Sequence, residues 1–179
     1  MKKYMLAAGA VALAACATPA MAQQAAAAAD NGVFYGGTLG LGFGDVDYVE
    51  IAPLIGKRIN PKVAIGGSLI YRHRSDNRYQ KDLNTDDYGA SVFGRYNLTP
   101  RLFAQAEYEY LKYEYYRANL TKDTDTANSL FLGGGVTAPL GGRTSMYFTA
   151  LYNVNYDDDA FVSPYSSPWV LRLGVGVGF

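Results

Sequence analysis

The chain has 179 residues, with 16 Lys and Arg against 16 Asp and Glu, one His and one Cys. That balance leaves no basic excess to meet nucleic acid, and one cysteine permits no internal disulfide. A mean hydropathy near zero resembles that of a soluble protein, yet strands with one apolar and one polar face give the same average in a membrane barrel.

Met1-Lys2-Lys3 is a short basic start, and Tyr4 to Ala15 is an apolar run. That run is too short for a spanning helix, which needs about 20 residues. Ala20-Met21-Ala22 offers small residues where a leader peptidase cuts, so residues 1–22 read as a cleaved signal peptide. Leu13-Ala14-Ala15-Cys16 keeps a second reading open, a lipobox with Cys16 acylated. Cleavage after Ala22 removes Cys16, Lys2 and Lys3, and leaves 14 basic and 16 acidic residues, a net charge of −2.

Residues 23–32 read as a small-residue linker, and residues 33–179 as one domain with a repeated period-two pattern. Eight strands are expected at 33–43, 48–59, 62–72, 87–98, 101–115, 128–140, 143–155 and 168–179. Each is long enough to cross a hydrocarbon core when tilted. Asn60-Pro61, Thr99-Pro100 and Gly141-Gly142 are tight turns. The remaining links (44–47, 73–86, 116–127 and 156–167) are longer and polar. Short turns at one end and long loops at the other match a membrane barrel with its turns in the periplasm and an even strand count. Pro53 falls inside the second strand and removes a ladder donor, so a bulge or bend is expected there.

Face parity agrees. Outward sets read Val63, Ile65, Gly67, Leu69, Tyr71; Tyr88, Ala90, Val92, Gly94, Tyr96, Leu98; Leu130, Leu132, Gly134, Val136, Ala138, Leu140; and Met146, Phe148, Ala150, Tyr152, Val154. The opposing faces carry Ser, Thr, Gly, Asn and charge. A soluble sandwich also alternates, with its polar face to water. Aromatics cluster at strand ends: Phe43, Tyr71, Tyr88, Tyr152 and Trp169 at one interface, Tyr35, Tyr96 and Phe179 at the other, as in a double girdle. In the last strand Trp169, Leu171, Leu173, Val175, Val177 and Phe179 share one face. This strand resembles the C-terminal strand of bacterial outer-membrane barrels. That resemblance implies that Phe179 is an assembly signal read by the barrel assembly machinery.

The inward sets hold charge: Glu50 and Arg58 on the second strand, Arg72 on the third, Arg95 on the fourth, Glu107 and Glu109 on the fifth and Arg172 on the eighth. Charges in a narrow lumen must pair or stay wet. They form either a polar plug or a gate whose pairs exchange partners. Eight strands leave an interior filled mainly by side chains, which favours the plug. The whole pattern resembles the small eight-stranded barrels such as the membrane domain of outer-membrane protein A and opacity-type surface proteins. The likeness implies fold more than activity. No peptidoglycan-binding domain is expected after Phe179.

His73 is the only histidine, two residues before Ser75. The pair resembles the His-x-Ser of outer-membrane lipid A deacylases, and Asp86 across the hairpin is a candidate third member. This sequence departs from that family: Asp76 stands where Asn is expected, and the pair lies early in the chain. The loop cations Arg72, Arg74, Arg78 and Lys81 are candidates for lipopolysaccharide phosphates, with Asp76, Asp82, Asp86 and Asp87 interspersed. Asp157-Asp158-Asp159 reads as a solvated turn rather than a calcium loop. Gly36-Gly37 and Gly133-Gly134-Gly135 precede no helix, so they suit close packing rather than phosphate binding.

The expectation is an all-β, eight-stranded, antiparallel up-and-down transmembrane β-barrel in a Gram-negative outer membrane. Its expected role is structural or surface display (envelope stability or adhesion), without enzymatic activity, cofactor or metal. A small gated, porin-like pore is the alternative, and a lipid A esterase built on His73, Ser75 and Asp86 a weaker one. Expected partners are outer-membrane lipid, lipopolysaccharide and the assembly machinery, with the barrel a monomer.

Overall fold

A computed structural model describes residues 32–42, 46–76, 83–116, 121–157, 163–165 and 167–178. The expected leader, Cys16, Phe43, Arg78, Lys81, Asp82, Asp158, Asp159 and Phe179 lie outside them. Eight strands follow one another: β1 (Val33–Gly42), β2 (Val46–Arg58), β3 (Val63–Asp76), β4 (Leu83–Asn97), β5 (Leu102–Tyr116), β6 (Lys122–Gly141), β7 (Thr144–Asn153) and β8 (Trp169–Val177). Each pairs antiparallel with its sequence neighbours, and β1 pairs with β8 to close the barrel. Closure leaves no sheet edge within the wall, which lipid would not tolerate.

The tight connections form as their residues dictate. Asn60 Oδ1 accepts the Lys62 and Val63 amides at 2.8 and 2.9 Å. Thr99 Oγ1 accepts those of Arg101 and Leu102 at 3.2 and 2.9 Å. Gly141 and Gly142 take φ of 125° and 57°, a left-handed turn open to glycine. The beginning of β1 and the end of β8 lie at this same short-turn end.

Burial alternates along most of β5 and throughout β7 and β8; β8 runs exposed, buried, exposed from end to end. The exposed set is apolar: Leu69 is 68% exposed, Val92 63% and Trp169 58%. The buried set includes Glu50, Arg72, Asp87, Glu109 and Arg172. This inverts a soluble sandwich and removes that alternative: the apolar face suits lipid and the polar face fills the lumen. Tyr71 and Tyr88 form one outward ring pair at 5.4 Å, and Tyr152 and Trp169 another at 5.1 Å, both toward the long-loop end.

Two links expected as loops are largely strand. β3 continues to Asp76 and β4 starts at Leu83, with His73 opposite Asp86 and Arg74 opposite Thr85. β6 starts at Lys122, opposite Tyr116, rather than at 128. Hydrophobic alternation stops where lipid stops, but backbone pairing does not need it. Pro53 makes no bulge. Ile51 pairs with Tyr71 and Leu54 with Ser68, so the β2–β3 ladder passes Ala52 and Pro53 in unchanged register. The register shift among the described pairs lies instead at Pro139/Gly141, beside the glycine turn.

Small residues admit large ones inside. A Cβ on Gly174 would fall within the Tyr147 ring, and one on Gly135 would come within 2.6 Å of Phe103 Cζ. Phe34, Leu54, Ala64, Phe93, Phe103 and Tyr147 thus pack as an apolar layer across the short-turn half of the lumen.

Candidate functional site

Above that layer the inward side chains include a buried ionic cluster. Period-two alternation turns Glu50 and Arg72 inward as direct cross-strand partners. Arg72 donates from Nε and Nη2 to Glu50 Oε2 at 3.0 and 2.6 Å. Arg172 donates from Nη1 to Glu107 Oε1 at 2.8 Å and from Nη2 to Glu109 Oε2 at 3.0 Å. Its Nε lies 3.0 Å from Glu50 Oε1. Gly40 makes that last contact possible: it is paired with Glu50 on one side and Arg172 on the other, and has no side chain between them. Arg172 therefore serves three carboxylates at once, and all four groups are buried.

Arg95 completes the charge balance and is linked to the cluster through Gln105. It donates to Gln105 Oε1 at 3.2 and 2.9 Å, and Gln105 Nε2 donates to Glu107 Oε2 at 2.8 Å. Its guanidinium lies 4.0 Å from the Phe103 ring centre and 4.9 Å from that of Tyr147. Stacking suits a planar, weakly hydrated cation at the boundary with the apolar layer. Three carboxylates thus meet Arg72, Arg95 and Arg172. A small cavity of about 20 Å³ remains beside Arg95, Gln105, Glu107 and Arg172, space for about one water.

Arg58 stands apart from this network. It sits half-buried near the short-turn end and donates from Nη2 to Gly178 O at 3.3 Å.

Tyr165 is the functional residue that sequence reasoning missed. It comes from the segment between β7 and β8, yet it is only 4% exposed. Its hydroxyl donates to Glu109 Oε1 and accepts from Arg72 Nη2 at 2.8 Å. Arg72 also donates to Pro164 O at 3.4 Å and lies 4.5 Å from the Tyr165 ring centre. The ring packs edge-on to Phe131 at 5.5 Å. Pro164 and Tyr165 therefore reach into the mouth and roof the cluster. A Ser-Pro-Tyr triplet in a polar link carries no periodic signal for such a contact.

A second buried pair was hidden by reading 73–86 as loop. Arg74 Nε lies 2.7 Å from Asp87 Oδ2, and its Nη2 donates to Asp87 Oδ1 at 2.9 Å and Glu114 O at 2.7 Å. Leu111, Ile70, Ala52 and Tyr113 pack nearby on the lumen side.

His73, Ser75 and Asp86 share the outward face. His73 Nδ1 meets Asp86 Oδ1 at 2.8 Å, and Tyr71 OH donates to the same oxygen at 3.0 Å. Ser75 is not joined to His73 by any hydrogen bond among the described residues; neighbours two apart on a strand stand roughly 7 Å apart. A histidine–carboxylate pair is therefore present, and among the described residues Ser75 does not join it. Among the described residues no three His, Cys, Asp or Glu side chains gather as metal ligands.

The outer membrane protein β-barrel domain family model matches residues 8–179. The chain belongs to that family. Two solved structures share the architecture. The N-terminal β-barrel domain of Pseudomonas aeruginosa OprF is similar at 10% identity and a TM-score of 0.55, covering 82% of this chain and 97% of that one. Neisserial surface protein A is similar at 15% identity and a TM-score of 0.50, covering 82% and 96%. A comparison with curated protein sequences finds no match. This member of the outer-membrane β-barrel family therefore resides in the outer membrane.

Proposed function

We propose that this outer-membrane barrel is a closed scaffold, which anchors itself in lipid and displays its long strand ends at the cell surface for envelope stability or adhesion. One observation carries the reading: the lumen is filled in series. The periplasmic half holds Phe34, Leu54, Ala64, Phe93, Phe103 and Tyr147, the middle holds the Arg/Glu cluster, and Tyr165 closes the top. An eight-stranded barrel has no room for a water path around such a column.

The second reading is a narrow gated pore. It is favoured by Arg172, which three carboxylates share and which can exchange partners. It is opposed by the apolar layer beneath, which no exchange of ion pairs would open. Conductance of the refolded protein in a planar bilayer tests both, alongside Arg172→Ala and Glu107→Ala. Silence in all three is expected. Discrete openings of the unaltered protein that change in the variants would overturn the scaffold reading.

A further inference from the structure

β6 outruns β7. Phe131, opposite Asn153, is the outermost β6 residue paired with β7, whereas β5 stays paired with β6 as far as Lys122. Residues 122–127 therefore offer a strand edge above the membrane that no described strand covers. Six residues span roughly 20 Å. Such an edge is a template for another strand.

The direction of the backbone groups follows from two bonds. Thr137 N–H donates to Arg101 O on the β5 side, and Leu130 O accepts from Val154 N on the β7 side. Alternation then turns the odd-numbered residues toward β5 and the even-numbered ones toward the side that no described strand covers. On that side the amides are capped by nearby side chains. Asn155 Oδ1 accepts from Leu130 N at 2.7 Å, and its Nδ2 donates to Asn128 O at 2.6 Å. Asp125 Oδ1 accepts from Thr126 N at 2.7 Å, and Asp123 Oδ1 from Thr124 N at 2.9 Å. Tyr115 OH steadies Asp123 by donating to its other oxygen at 3.3 Å.

We propose that Asp123 and Asp125 guard this edge against strand addition by a second copy of the chain. An antiparallel strand must receive the Thr124 and Thr126 amides, and each aspartate holds the amide that follows it. A second copy is the natural occupant because an antiparallel self-pair is isologous, each edge supplying what the other needs. Centred on Asp125, that pair sets Thr124 against Thr126 and Asp125 against its own copy. Like charges directly opposite add a second deterrent.

The test is the oligomeric state of the full chain in detergent micelles, by light scattering coupled to size exclusion. Heat-modifiable gel mobility confirms folding. The unaltered protein should hold one copy per micelle at every concentration. Asp123→Ala with Asp125→Ala should shift to two copies as concentration rises, and adding Thr124→Pro, which deletes a donor, should restore one copy. Asp123→Asn with Asp125→Asn keeps the acceptor oxygens and should stay at one copy. A folded alanine variant that remains single throughout would overturn the proposal. Dimerisation of the asparagine variant equal to that of the alanine variant would overturn it too, since charge and not capping would then be the guard. If the double alanine variant fails to fold, Asp123→Ala and Asp125→Ala apart carry the same expectation at higher concentration.

Discussion

Arg172→Ala should be the most damaging single charge removal in the lumen. The side chain lies within 2.8 Å of Glu107 and 3.0 Å of both Glu50 and Glu109, at 5% exposure. Its loss leaves three buried carboxylates for Arg72 and for Arg95, which is linked to Glu107 through Gln105. Removing one partner of a buried ion pair costs about 3–5 kcal/mol, mostly the desolvation of what remains. Residual partners moderate this: Arg72 still holds Glu50, Gln105 still donates to Glu107 and Tyr165 to Glu109. The expected loss is therefore about 3 kcal/mol, the lower end of that range. Urea unfolding from lipid vesicles measures it, with emission from Trp169, the chain's single tryptophan, as the probe. Trp169 faces lipid, so leaving the bilayer changes its surroundings. The double variant Arg172→Ala with Glu107→Gln should lose less than the sum of the two single variants, because it removes one of the stranded charges. A loss below about 1 kcal/mol for Arg172→Ala, a value typical of an exposed pair, would refute the buried-cluster account.

Tyr165→Phe removes the donor to Glu109 and the acceptor for Arg72 while keeping the ring. It should cost about 1–3 kcal/mol and speed proteolysis of the β7–β8 segment in folded protein. Gly174→Ala drives a methyl into the Tyr147 ring and should cost about 1–3 kcal/mol, relieved in part by Tyr147→Ala; an unchanged urea midpoint would contradict the packing. Expression of the protein should leave lipid A unchanged by mass spectrometry, since Ser75 lacks a bond to His73. A loss of one acyl chain that vanishes with His73→Ala would instead establish an esterase.

Alternation in the residues themselves determined the barrel. Leu69, Val92 and Leu171 at one parity, with Glu50, Arg72 and Arg172 at the other, assign faces because a strand turns each successive side chain to the opposite side. Turn positions were equally local, since Asn60 and Thr99 bond amides two and three residues on. Strand ends were not legible at the surface, where His73, Asp86 and Lys122 carry no hydrophobic signal although their backbones remain paired. Nor were the partners inside the lumen. Parity says that Arg172 points inward, but which carboxylates it meets depends on register, on strand stagger and on the absent side chain of Gly40. Tyr165 depends on more still, because a link with no period enters the lumen only once the walls have placed Arg72 and Glu109 to receive it. The faces were written in local stereochemistry; the charge cluster and its roof arose from closure, which brings together residues from five strands and a loop that no spacing along the chain relates.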